Sequence, residues 1–259
     1  MDGQELLLGT MTSDYQHQTG LPDEPSRQKV WHMFDRIAPR YDLLNRLLSF
    51  RQDVAWRRRM ARQVQAKTGL VLLDIATGTA DQIISLMRGN NRITSAVGVD
   101  MSEGMLGFGR EKIRKLNWAD RVVLKTGDAM KIPEPDATFD VATMSFGIRN
   151  VLNVTEALRE VHRVLKPGGR ALILEFSTPG NRLFRPLYFF YLRHVLPVLG
   201  GILSGDRSAY RYLNRTIETF PSGREFCAIM EAAGFERVQA IPLTFGIASI
   251  YQGDRPAGS

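Results

Sequence analysis

Between residues 70 and 176 the apolar and polar positions change period in a regular order. Short apolar runs at 71–76, 96–100, 122–126, 139–145 and 170–176 read as strands. They alternate with stretches at 80–88, 103–116 and 153–165 that read as helices. This alternation predicts an α/β fold, a mostly parallel sheet with helices on both faces. Pro167-Gly168-Gly169 is a turn that starts the fifth strand. Upstream, residues 1–26 are polar and carry Gly3, Gly9, Gly20, Pro22 and Pro25, which predicts a mobile arm. Ser26 can cap a following helix in which Val30, Phe34 and Ile37 recur, and Pro39 should stop that helix. A connector at 41–50 then leads to a basic helix at 53–67, with Gly69 just past its end. Residues 180–220 break the alternation with an apolar, helical insertion. A helix near 222–233 and strands near 237–242 and 246–251 resume it. The expected organisation is an arm at 1–26, a helical flap at 27–69, one α/β domain at 70–252 containing the insertion, and a tail at 253–259.

The chemistry begins at the first turn. Leu72-Leu73-Asp74-Ile75-Ala76-Thr77-Gly78-Thr79-Ala80-Asp81 is a strand, a turn of small residues and a helix start, and the next strand closes on Asp100. Such a unit holds a nucleoside at the carboxyl ends of parallel strands, with the later acid on the ribose hydroxyls. The Gly-x-Gly-x-x-Gly of dinucleotide sites and the Gly-x-x-x-x-Gly-Lys-Ser/Thr of phosphate-binding loops are both absent. What remains is acid-x-small-x-Gly-x-small, the first motif of methyltransferases that use S-adenosylmethionine, a cofactor without phosphate. Asp74 and Gly78 belong to this turn. Thr79 offers a hydroxyl and an N–H near a helix start, where a carboxylate is favoured. Asp100, with Met101 beside it, can accept from ribose or cap the helix that follows. Asp128 and Ala129 follow the third strand, where an acceptor can meet an adenine amino group. Ser145, Arg149 and Asn150 follow the fourth strand, at the sheet edge where open α/β proteins hold their chemistry.

Composition narrows the setting. The 259 residues are 44% hydrophobic, enough for a packed core. The single cysteine, Cys227, forbids an intrachain disulfide and fits a reducing compartment. No secretory or transit pattern is present at the start of the sequence, so a cytoplasmic location is expected. The net charge of +7 points to an anionic surface, nucleic acid or membrane. Residues 183–203 are long and apolar enough to suggest a membrane span, but Arg185, Pro186, Arg193, His194 and Pro197 argue against one. On a helical wheel Arg182, Arg185 and Arg193 fall within an arc of about 80°, taking about 100° per residue. A helix of this kind lies in a membrane surface or roofs an apolar pocket. No metal-ligating set is expected.

The chain resembles the UbiE/MenG family, the C-methyltransferases of ubiquinone and menaquinone biosynthesis, over roughly residues 29–252. The resemblance rests on Met33-Phe34-Asp35-Arg36-Ile37-Ala38-Pro39-Arg40-Tyr41-Asp42-Leu43-Leu44-Asn45, on the turn motif of the first strand, and on Phe146-Gly147-Ile148-Arg149-Asn150. Val164-Leu165-Lys166-Pro167-Gly168-Gly169-Arg170, Glu175-Phe176-Ser177 and Tyr210-Arg211-Tyr212-Leu213 complete it. It implies a seven-stranded Rossmann-like sheet and S-adenosylmethionine held at Thr79, Asp100, Asp128, Ala129 and Ser145. It also implies a polyprenylated hydroquinone as acceptor. Ala80 departs from the family, which usually has glycine there. For this chemistry Arg149 would favour a ring phenolate, and a water held by Arg149 and Asn150 would carry its proton away. Asp42, His194 and Tyr210 are further candidates for that proton. Peripheral contact with an anionic membrane face is expected, nucleic acid is not, and a homo-oligomer or a complex of quinone-biosynthesis enzymes stays open. The competing reading is a methyltransferase of the same fold acting on another small molecule or on RNA.

Overall fold

The computed structural model describes residues 30–204 and 207–258; the expected arm and the Ser26 cap lie outside them. Seven strands form one sheet in the order β3-β2-β1-β4-β5-β7-β6. They are β1 (Leu70–Ile75), β2 (Ile93–Asp100), β3 (Val122–Thr126), β4 (Phe139–Ser145), β5 (Leu165–Phe176), β6 (Glu236–Leu243) and β7 (Ala248–Asp254). β7 runs antiparallel to both of its neighbours, and the other pairs are parallel. The strand order reverses between β1 and β4, which opens a crevice beyond their carboxyl ends.

The pleat explains the two core layers. Leu70 and Leu72 point to one face, against Met60 of α2 (Gln52–Ala61), Ile83 and Leu86 of α3 (Asp81–Gly89) and Leu106 of α4 (Glu103–Lys115). Leu73 and Ile75 point to the other face. There they join Val161 of α5 (Val154–Val164), Phe226 and Met230 of α9 (Arg224–Ala232), and Tyr251. Both faces being covered, β1 reads as a near-continuous apolar run and β4 is buried along its whole length.

The N-terminal flap differs from expectation. Pro39 does not end its helix: α1 runs from Val30 to Leu48 with Pro39 inside, so the expected connector at 41–50 is mostly helical. A proline in mid-helix removes a hydrogen bond and crowds the preceding turn. Here tertiary anchors on both sides of it hold the helix. Asp35 accepts from the Ser102 hydroxyl at 2.5 Å and from the Gly104 N–H at 3.1 Å, while Asp42 accepts from Thr79 at 2.7 Å. α2 ends at Ala61, earlier than expected, and β5 begins at Leu165, so the Gly168 turn lies within the strand. β7 reaches Asp254, where the Arg170 and Arg237 side chains donate to its carboxylate.

The insertion is helical. It comprises α6 (Phe184–Phe190), a five-residue π turn (Tyr191–Val195), α7 (Leu196–Ser204) and α8 (Arg207–Thr219). Tyr188, Leu192 and Leu196 pack with Val30 and Met33 of α1 into a third apolar cluster over the sheet edge. Among the described residues no helix is long and apolar enough to cross a membrane.

Candidate active site

Two cavities meet at the crevice. The first, about 140 Å³, is bounded by Gly78, Asp100, Met101, Asp128, Ala129 and Ser145, by Gly147 and Asn150, and by Phe34 and Tyr41 of α1. The β1–α3 turn gains its shape from left-handed backbone at Ala76 (φ 52°), Gly78 (φ 54°) and Ala80 (φ 63°). Gly147 must be glycine because a Cβ there would stand 2.5 Å from the Ala76 methyl. The Gly78 N–H donates to one Asp100 oxygen at 2.8 Å and the Ser102 N–H to the other at 2.9 Å. Burial pushes the Asp100 carboxyl up, and these N–H groups oppose that rise. Each oxygen keeps acceptor capacity for a ribose hydroxyl. Ser102, rather than Asp100, caps α4, accepting from the Met105 N–H at 3.1 Å. Asp128 accepts from the Met130 N–H at 2.9 Å beside Ala129.

The lining tests which cofactor fits. Among the described residues it carries two carboxylates, Asp100 and Asp128, apolar walls from Met101, Met105 and Leu152, and no lysine or arginine. A phosphorylated nucleotide would find no cation here. S-adenosylmethionine, with ribose hydroxyls, an adenine amine and positive charge, fits the donor and acceptor set.

Two residues expected at the cofactor are not in this lining. Asp74 is buried behind the turn and accepts from the Thr143 hydroxyl at 2.6 Å; burial raises its carboxyl to about 6. The pleat turns its side chain toward the α2–α3 layer. Thr79 also faces away: its hydroxyl donates to Asp42 at 2.7 Å and accepts from Lys112 at 2.9 Å. Lys112 further pairs with Asp42 and Asp81, and Arg46 reaches Asp81 at 3.1 Å. This network ties α1 to the cofactor turn, which is the place the structure gives both Asp42 and Thr79.

The second cavity, about 430 Å³, lies between α1, α2 and the insertion. Phe34, Tyr41 and Phe146 belong to both cavities and form the wall between them. The rest is largely apolar, including Trp56, Phe176, Leu187, Tyr188, Tyr210 and Tyr212, with the guanidinium groups of Arg57 and Arg149 at its inner end. Arg149 is buried. It donates to Glu175 at 2.8 Å and to the Phe146 carbonyl at 2.6 Å, and its guanidinium carbon lies 5.4 Å from the centre of the Phe176 ring. Burial pushes Glu175 up while Arg149 opposes that rise. Asn150 faces the first cavity instead and accepts from the Tyr212 hydroxyl at 3.1 Å. Arg149 and Asn150 therefore serve different cavities, and the expectation of one water held by both gives way to this division. Tyr210 lines the second cavity, but His194 does not: it sits exposed on the π turn beside Phe190.

Sequence reading missed Glu175 as the partner of Arg149, Gln82 between the cavities, and Arg57. The Arg57-Arg58-Arg59 run suggests a solvated face. The signal that separates Arg57 is helical spacing, since Asp53, Trp56, Arg57 and Met60 form the buried face of α2.

The sheet order, the small-residue turn and the nucleoside cavity with its two carboxylates define a class I S-adenosylmethionine-dependent methyltransferase. Solved structures agree on the fold. A methyltransferase of that class from Thermotoga maritima, described as a possible histamine N-methyltransferase, aligns with a TM-score of 0.61 at 20% identity, covering 87% of this chain and 99% of that one. The chain belongs to the ubiE/COQ5 methyltransferase family, whose model matches residues 23–255. It is 47% identical over 228 residues to the ubiquinone/menaquinone biosynthesis C-methyltransferase UbiE of Geobacter sulfurreducens, covering 88% of this chain and 89% of that protein. It is 45% identical over 226 residues to the demethylmenaquinone methyltransferase of Thermus thermophilus, covering 86% of this chain and all of that one.

Proposed function

We propose that this methyltransferase methylates a ring carbon of a polyprenylated hydroquinone, forming menaquinol from demethylmenaquinol or making the corresponding benzoquinol in ubiquinone biosynthesis. The observation that carries the reading is the 430 Å³ apolar cavity that shares the Phe34–Tyr41–Phe146 wall with the cofactor cavity. A hydroquinone ring fits against that wall with its oxygens toward the guanidinium end. The isoprenoid tail then leaves past Phe50 and Leu187, which line the cavity and are 74% and 63% exposed.

When bound, S-adenosylmethionine supplies an electrophilic methyl group on a sulfonium. Asp100 holds the ribose, and Asp128 and Ala129 meet the adenine. Ser145 and Asn150 line the methionine side of the cavity. The aromatic wall fixes the ring and excludes water, so orientation supplies much of the rate. Arg149, oriented by Glu175, stabilises developing negative charge on a ring oxygen.

The same face meets a membrane. Phe50 and Leu187 of the cavity lining are exposed, as are Leu183, Phe190 and Phe245. Arg185 and Arg193 converge on the ring of Phe189, at 5.6 and 5.2 Å. Apolar side chains flanked by cations suit the surface of an anionic bilayer on the cytoplasmic side.

The test is methyl transfer by purified protein to demethylmenaquinol and to a demethylated benzoquinol, each with a short isoprenoid tail, in anionic and in zwitterionic vesicles. Product with a new ring methyl is expected, at a higher rate on anionic vesicles. No product from either quinol would overturn the reading, and equal rates on both vesicle types would remove the membrane part of it.

A further inference from the structure

Arg57 lies in α2 with only 8% of its surface exposed, and it lines the acceptor cavity. One terminal nitrogen donates to the Gln82 side-chain oxygen at 3.3 Å, while its Nε has no hydrogen-bond partner. The guanidinium carbon lies 5.6 Å from the centre of the Phe146 ring. Among the described residues no carboxylate forms an ion pair with it.

The neighbouring acids hydrogen-bond to other groups. On its own helix, Asp53, which also lines the cavity, accepts from the Ser49 hydroxyl at 2.8 Å and makes no ion pair with Arg57 among the described residues. From α3, Asp81 is held by Lys112 and Arg46, and Arg57 acts on it through space. From β1, Asp74 is raised to about 6 by burial, although Arg57 opposes that rise from a distance. From β5, Glu175 belongs to Arg149. From α1, burial pushes the Tyr41 hydroxyl up against the pull of both Arg57 and Arg149. A buried cation with a neutral partner and an unused donor is unfavourable unless something supplies the anion. Such groups cluster where a ligand does so.

We propose that Arg57 is a second residue that receives the ionised ring oxygen of the acceptor, beside Arg149, whose charge Glu175 partly offsets. This rests on the reading of the acceptor as a hydroquinone. The Gln82 oxygen that accepts from Arg57 also accepts from the Ser145 hydroxyl at 2.9 Å, and Ser145 lines the cofactor cavity. Gln82 thereby fixes the guanidinium against the wall between the cavities. A hydroxyl bound there is ionised more readily, and its proton passes to solvent on binding.

The experiment uses the full chain with Arg57→Gln and Arg57→Lys. One probe pair is a 2-alkyl-3-hydroxy-1,4-naphthoquinone, ionised at neutral pH, and the same quinone without the hydroxyl. Arg57→Gln should bind the ionised probe at least about 10-fold more weakly and the neutral one nearly as well as the parent, and Arg57→Lys should recover part of the loss. Single-turnover methylation should fall about 100-fold, and its acidic limb should move up by about 1 to 2 pH units, because less of the hydroxyl is ionised at a given pH. Affinity for S-adenosylmethionine should stay within about 3-fold, and thermal stability should hold or rise, since an unpaired buried charge is removed. Equal weakening of both probes would overturn the proposal, as would an unmoved acidic limb. A large loss of cofactor affinity would also overturn it and give Arg57 to the cofactor's carboxylate. If the parent binds the ionised probe yet methylates no quinol, the hydroquinone reading fails while the probe pair still tests Arg57.

Discussion

The Arg149–Glu175 pair should respond asymmetrically to loss of either partner. Glu175 has no exposed surface and Arg149 only 6%. In Glu175→Gln the amide oxygen can still accept from Arg149 and from the Phe176 N–H, both at 2.8 Å. The guanidinium nonetheless loses its counter-charge and cannot deprotonate, so the change should cost about 3 kcal/mol, the low end for breaking a buried pair. For a chain of this size that lowers the melting temperature by about 6–12 °C. Arg149→Met leaves a buried carboxylate, which can escape by taking a proton. At pH 7 that protonation costs at most about 4 kcal/mol, from an unfolded-state pKa near 4.3, and at pH 5 only about 1 kcal/mol. The sign follows from the raised pKa of Glu175: below it the folded variant is already protonated, so the deficit shrinks as pH falls. Arg149→Met/Glu175→Met removes both charges and should lie within about 1 kcal/mol of the parent. Its turnover should still fall by two to three powers of ten, as expected for one lost electrostatic contribution. Urea denaturation of the four proteins at pH 5 and pH 7, with single-turnover assays alongside, measures all of this. If the Arg149→Met deficit is the same at both pH values, or the double variant is as unstable as the sum of the singles, the pairing argument is wrong. Near-parent turnover in the double variant would remove Arg149 from the mechanism.

Three further outcomes are expected. Asp100→Ala removes the acceptors for Gly78 and Ser102 as well as for ribose, so calorimetry should find S-adenosylmethionine binding weakened by about 2–4 kcal/mol, or about 30- to 1000-fold; unchanged affinity in a folded variant would refute the ribose assignment. Asp42→Asn should loosen α1 from Lys112 and Thr79. The pair is partly exposed, so stopped-flow should find cofactor release faster by only about 5-fold, and no change would deny α1 a role as cover. Asp74 keeps its proton to about pH 6 when folded but to about 3.8 when unfolded. Asp74's contribution to stability should therefore fall as pH rises from 4 to 6, and Asp74→Asn should remove that part of the slope, gaining at most about 3 kcal/mol at pH 7 relative to the parent; a parent-minus-variant difference that does not change with pH would refute the assignment.

How much of this was legible in the sequence depends on how local each feature is. The strands and the β1 turn were readable because period and small residues act within a dozen positions. Asp100 and Ser145 end strands and Asp128 and Ala129 closely follow one, so the sheet brings them to one edge. Pro39 misled because its local penalty is real, while the bonds from Asp35 and Asp42 that outweigh it join residues 67 and 37 positions apart. Thr79 and Asp74 misled for a related reason. The motif fixes the backbone of the turn but not which way each side chain points, and the pleat and α1 decide that.

The acceptor cavity was the least legible part, because its walls come from positions between 33 and 247 with no shared motif. Arg149 stood out in sequence as a lone cation after a strand, and Glu175 stood in a separate motif. Folding makes them a single neutral unit across β5 and the turn after β4. A second guanidinium lines the same cavity, that of Arg57, which the sequence hides among two other arginines. A run of like charges on a helix should therefore be divided by helical phase before it is assigned to solvent, since the member in phase with Trp56 and Met60 has the opposite fate from Arg58 and Arg59.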